Sequence, residues 1–133
     1  MRHLLCLTAL FIALALAPAC AQESGDVDRG RRYARNVCAE CHAVGPGAEN
    51  KVGPELNGLD GRHAGTAAGF NYSEANKNSG IVWNGDTFKD YIRSPQSKIP
   101  GTKMAFAGIT NPQEIEDLWA YLKQFDAEGE VKK

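Results

Sequence analysis

The sequence predicts an all-α domain made of a few short helices and long loops, and three observations carry that expectation. Helix caps followed by apolar residues at helical spacing mark segments early and late in the chain. Between them, from Gly45 to Gly85, nine of the 14 glycines gather with Pro46 and Pro54, and no apolar period is sustained. Just ahead of that stretch stands Cys38-Ala39-Glu40-Cys41-His42, with two thiols on one edge of a helical turn and an imidazole next to them.

The chain has 133 residues, 43% of them hydrophobic and 23% charged, with a formal net charge of −1, which bounds it to one small domain. Its start reads as a separate segment. Arg2 and His3 precede an apolar run from Leu4 to Ala17, and Ala19-Cys20-Ala21 supplies a small-x-small pattern. Residues 1–21 are therefore expected to be a secretory signal peptide cleaved after Ala21, and the run is short for a membrane span of about 20 residues. A lipid anchor on Cys20 is the weaker alternative, because Ala17-Pro18-Ala19 is a poor lipoprotein signal. The domain is then 22–133. It loses Arg2 and keeps 14 Lys and Arg against 16 Asp and Glu, a balance of −2. Cys6 and Cys20 leave with the leader, so Cys38 and Cys41 are its cysteines, Met104 its methionine, and His42 and His63 its histidines.

Within the domain, Asp26 or Asp28 is expected to cap a helix from Val27 to Cys38, with acidic residues in the first turn suiting the dipole. Gly30 and Ala34 share one of its faces, which either admits a close-packed helix or reflects ordinary composition. A short helical turn is expected near Ser73–Asn78. Another helix follows Asn84-Gly85, with Phe88, Tyr91 and Ile92 at i, i+3, i+4, and stops before Pro95. After Pro100-Gly101 comes an extended piece carrying Met104. The last helix has Asn111 as cap, Pro112 at its first position and Glu114 completing a capping box. Ile115, Leu118, Trp119, Leu122 and Phe125 give it an apolar face ending near Asp126, and the tail from Glu128 to Lys133 is expected to fray.

Cys-x-x-Cys-His points to covalent haem attachment, with both sulfurs as thioethers and the histidine on iron. A disulfide, half a zinc site or a redox dithiol would use the same residues. His63 stands at no zinc-finger spacing, which weakens zinc. The glycine-rich middle makes sense if loops wrap a large apolar cofactor, a separate argument for haem. Iron held by one histidine leaves a sixth position. Met104, 62 residues after His42 and flanked by Gly101-Thr102-Lys103 rather than an apolar stripe, is the candidate to fill it. His63 competes, but Gly61-Arg62-His63-Ala64-Gly65 reads as a polar turn with an exposed histidine.

At these residues the chain resembles the class I cytochrome c family, from Gly30 to Leu122. The resemblance rests on Cys38–His42, Gly53-Pro54-Glu55-Leu56, Gly61-Arg62, Gly69-Phe70-Asn71-Tyr72, Ala75-Asn76-Lys77-Asn78, Trp83, Tyr91, and Ile99-Pro100-Gly101-Thr102-Lys103-Met104. Phe106-Ala107-Gly108-Ile109 and Leu118-Trp119-Ala120-Tyr121-Leu122 complete it. It implies one haem c covalently held by Cys38 and Cys41, with His42 and Met104 as axial ligands, inside a class I fold. The Pro54 carbonyl is implied to accept the other imidazole proton of His42. Tyr91 and Thr102 resemble hydroxyls near the methionine sulfur; Arg62, Tyr72 and Trp83 resemble groups that bond the haem propionates. Asn76 belongs to the same interior polar network.

The chain also departs from the family. Ala34, with Tyr33 beside it, stands where an aromatic is frequent, so the contact between first and last helices is expected to be repacked. Arg32, Lys51 and Lys103 match the basic ring around the haem edge, whereas Val37, Glu49, Gln96, Thr110 and Asn111 replace its lysines. That thin ring implies a partner with a mixed surface rather than a strongly acidic one. The expectation is a periplasmic monomer, an electron carrier and not an enzyme. It would cycle Fe(III)/Fe(II) between a membrane quinol–cytochrome c oxidoreductase and a terminal oxidase or periplasmic reductase, with no nucleic-acid partner. The alternative is a haem c peroxidase or gas sensor with a labile sixth ligand.

Overall fold

The computed structural model describes residues 24–133, and the leader expected over residues 1–21, with Cys20, lies outside the described residues. The Asp26 carboxylate accepts the Arg29 N–H at 2.7 Å and opens α1 (Val27–Tyr33), while Asp28 sits in its first turn. The helix continues past Tyr33 as a π turn over Ala34–Cys38, closed by the Ala39 N–H on the Ala34 carbonyl at 2.9 Å. The expected helix to Cys38 is thus unbroken, but its last turn has the wide i→i+5 form that recurs at functional sites.

Ser73 caps the single turn α2 (Glu74–Lys77). Next comes α3 (Gly85–Arg93), where Asn84 and Thr87 form a reciprocal capping box and Phe88, Tyr91 and Ile92 are buried. Ser94 breaks the chain, and Pro95 starts a further turn not expected from the sequence, α4 (Pro95–Lys98). Asn111 caps α5 (Pro112–Leu122) by accepting the Gln113 N–H at 2.9 Å. Glu114 stays in the first turn without forming the expected capping box, because Asn111 reaches the second helical N–H rather than the third. The helix ends at Leu122, earlier than expected, and Phe125 is buried just beyond it. No β-strand forms among the described residues; the extended pairings are isolated bridges, His63 with Val82 and Phe125 with Val131.

The second of those bridges overturns the frayed tail. The Lys132 N–H bonds the Gln124 carbonyl at 2.8 Å and the Asp126 N–H bonds that of Glu130 at 2.9 Å. The chain therefore doubles back, and Gly129 presses on the Gly45 carbonyl and the Asn57 side chain. Side-chain polarity suggested fraying, but backbone pairing decides.

The core lies where α1 crosses α5. A Cβ on Gly30 would run into the Asp117 carbonyl, so only glycine permits this approach. Ala34 is buried beside it, and the expected repacking takes the form of a small-residue crossing with Tyr33 against its edge. Ile115 and Leu118 are each 1% exposed, and Phe88 brings α3 onto Trp119 at 5.1 Å between ring centres.

Asp117 fastens the crossing. Its carboxylate accepts Arg29 Nε at 2.6 Å and Nη2 at 3.1 Å, the Asp26 N–H at 2.7 Å and Gln113 Nε2 at 2.9 Å. Arg29 above all pulls its pKa from 3.8 down to about 2, against the upward push of burial. A carboxyl with a lowered folded-state pKa stabilises fully above 3.8 and less as pH falls toward 2. Asp117→Ala is expected to lose about 2–4 kcal/mol of unfolding free energy, measured by guanidinium titration at neutral pH. Asp117→Asn should flatten the acid-unfolding curve in that pH window.

Candidate cofactor site

An apolar cavity, open to solvent on one side, lies between the early loops, α3 and the Met104 segment. Cys38, Cys41, His42 and Met104 all line it, although they come from segments far apart in sequence. His63 does not line it: as expected, it is exposed. Among the described residues no three His, Cys, Asp or Glu side chains converge, so the zinc reading finds no ligand set.

His42 Nδ1 lies 2.7 Å from the Pro54 carbonyl, which can only accept, so Nδ1 carries the hydrogen. Burial lowers the pKa of His42 most; Lys51 and Arg62 push it the same way, and the Pro54 bond opposes them. The ring is thus held neutral, with Nε2 as its lone-pair nitrogen. The Pro54 segment is itself tied to the motif: the Gly53 N–H bonds the Cys41 carbonyl at 2.7 Å and the Leu56 N–H bonds that of Ala43 at 2.9 Å. Gly53 lies so near the imidazole that an added Cβ would be 2.7 Å from Nδ1.

No disulfide joins Cys38 and Cys41. Burial, and then Cys41, raise the Cys38 thiol to about 11. Redox dithiols work through thiols of lowered pKa, so this environment disfavours that reading. Across the cavity, the Tyr91 hydroxyl donates to the Met104 sulfur at 3.4 Å and lies 3.1 Å from Thr102 Oγ1. The Met104 N–H returns to that Oγ1 at 3.3 Å, so two side chains, Tyr91 from α3 and Thr102 from the Met104 segment, fix one thioether. Burial raises the Tyr91 hydroxyl, keeping it a donor.

The polar residues gather on other walls. The Arg62 guanidinium bonds the carbonyls of Glu55 and Asn57, each at 2.9 Å, and the Glu55 carboxylate at 2.7 Å. The Tyr72 hydroxyl accepts the Ala67 N–H at 3.2 Å, and Trp83 packs edge-on to Tyr91 at 5.1 Å. Asn76 Oδ1 is buried without a hydrogen-bond partner. Sequence reasoning gave no role to Glu55, which braces Arg62, or to Gln96, whose side chain bonds the carbonyls of Thr102 and Met104. Glu55 lay inside a recognised motif, but an exposed Gln96 carried no sequence signal. At the mouth, Val52 is 79% exposed and Val37 43%. Lys51 Nζ bonds the Ala39 carbonyl, and Lys103 Nζ that of Asn71 at 2.8 Å.

An apolar slot suits a large flat group. A neutral imidazole and a hydroxyl-steadied thioether suit its iron, and the unpartnered Asn76 oxygen and Arg62 suit its polar edge. Fold and site thus define a helical haem carrier. A family model described as Cytochrome c matches residues 27–126. Cytochrome c2 of Rhodoplanes tepidamans is 64% identical over 107 residues, 80% of this chain and 99% of that protein. Cytochrome c-550 of Bradyrhizobium diazoefficiens is 62% identical over 98 residues, 74% and 72% of the two chains. Cytochrome c2 of Blastochloris viridis is 54% identical over 121 residues, 91% and 92%. The chain belongs to the cytochrome c family. It carries covalently attached haem c and is an electron-transfer protein, not an enzyme.

Gly53→Ala is expected to push the imidazole off the Pro54 carbonyl. The yield of haem-bearing protein should fall, and its unfolding free energy should drop by about 1–3 kcal/mol, the range for an overpacked site. Denaturant titration followed at the haem absorption checks this.

Proposed function

We propose that Cys38 and Cys41 carry the haem, that His42 and Met104 are its axial ligands, and that the protein is a soluble periplasmic shuttle. The observation that carries this reading is the pairing of a neutral, Pro54-oriented imidazole with a hydroxyl-bonded thioether on walls of one cavity. Bound there, haem c supplies a one-electron Fe(III)/Fe(II) couple. The chain's task is to hold the ligand geometry constant, keep water out and leave one edge reachable. The Pro54 bond fixes the His42 ring and raises its basicity, and the Met104 thioether as a ligand would favour the reduced iron. Arg62, Tyr72, Trp83 and Asn76 face the polar edge of the group, with the Glu55 carboxylate offsetting part of the Arg62 charge.

Residues 1–21 serve as a secretory leader in this reading and 22–133 as the mature domain. Among the described residues no helix is long and apolar enough to cross a membrane. The partners are a membrane quinol–cytochrome c oxidoreductase on one side and a terminal oxidase or periplasmic reductase on the other, met transiently by a monomer. The mouth supports a partner of mixed surface. Its valines are exposed, and two of its three expected cations, Lys51 and Lys103, are turned onto backbone carbonyls.

Absorption spectroscopy tests the ligand set. The oxidised protein should show the far-red thioether-to-iron charge-transfer band, and a five-coordinate high-spin spectrum would contradict Met104. Met104→Ala should still attach haem, lose that band and bind small ligands such as imidazole. His42→Ala should give no stable holoprotein.

A further inference from the structure

The segment that carries Met104 is held from two sides. On the cavity side stand Tyr91 and Thr102, already described. On the solvent side Gln96 spreads its carboxamide over the same loop: Nε2 donates to the Thr102 carbonyl at 2.9 Å and to the Met104 carbonyl at 3.1 Å. A primary amide has two N–H bonds, and both are used, one on each side of Lys103. The side chain springs from α4, which is fixed in the core by Pro95 and by Ile99, the latter 3% exposed. The amide thus ties the Met104 loop to an anchored turn.

We infer that Gln96 is a positioning residue for the sixth iron ligand, a strap whose two hydrogen bonds set how often the Met104 loop lifts away from the cavity. The inference rests on Met104 being that ligand. An outside ligand reaches the iron only from the lifted state, so its apparent affinity is its intrinsic affinity scaled by the lifted fraction. Cutting the strap raises that fraction. No group of Gln96 touches the cavity, so the strap acts through the loop backbone and not on the cofactor itself.

The test is imidazole titration of the oxidised holoprotein, read at the far-red band. Gln96→Ala should bind imidazole about tenfold more tightly than the wild type, near the low end of what the loss of two hydrogen bonds implies. It should keep the band when no imidazole is present. Gln96→Glu, which keeps the length but offers the carbonyls no N–H, should behave like the alanine variant. Asp90→Asn removes only the charge that the exposed Lys98 pairs with at 3.0 Å between α4 and α3, leaving the Gln96 bonds and the Pro95 and Ile99 anchor in place; it should titrate as the wild type does. Equal affinity in Gln96→Ala and wild type would overturn the strap, as would an equal gain in Asp90→Asn. A wild type without the far-red band would overturn the Met104 assignment beneath it, a distinct result from either.

Discussion

The hydrogen bond from His42 to the Pro54 carbonyl is the constraint on which the site depends. It joins the end of the first helical segment to a loop with no regular structure of its own. Backbone bonds on either side of it, Gly53 to Cys41 and Leu56 to Ala43, make the two strands of chain a single rigid corner. The imidazole is gripped between that carbonyl and a glycine with no side chain to offer resistance. Everything across the cavity has to meet a ring whose place is already set. The Met104 side answers with smaller forces in greater number: a hydroxyl on the sulfur, a threonine on the backbone, an amide strap outside and a lysine tied to Asn71.

The crossing of α1 and α5 does for the fold what that corner does for the site. Glycine at position 30 brings the helices into backbone contact, and the buried Asp117 closes the gap with bonds to both ends of the first turn. This joins residues about as far apart in the chain as the fold allows. The cavity lies between these two fixed points, and the loops from Gly45 to Gly85 need only drape over it.

Much of this was legible in the sequence, for identifiable reasons. Helices show when apolar spacing and caps agree, as at Asn84–Ile92 and Asn111–Leu122. The site showed because its residue types are rare: in residues 22–133 two cysteines, one methionine and two histidines leave few combinations. What escaped notice was set by backbone or by context. The π turn leaves no compositional trace. Asn111 offered a cap, but whether it reached the second or third N–H depended on its rotamer. The tail looked frayed because its side chains are polar, while its order comes from N–H and carbonyl groups that every residue has. In the sequence Gln96 stands only as a departure from a basic ring, and it is the fold that brings its two acceptors beside it.

That folded tail has a consequence for the lifetime of the molecule. A protease needs an extended, unpaired stretch of chain, and here Lys132 bonds the Gln124 carbonyl and Val131 bridges Phe125. Cleavage at Gly129 would strip the cover from Gly45, just downstream of the attachment motif, and from the Asn57 side chain. The doubled-back segment is therefore a cover on the loop that follows the attachment motif, and resistance to cleavage there and the hold on Gly45 are one property.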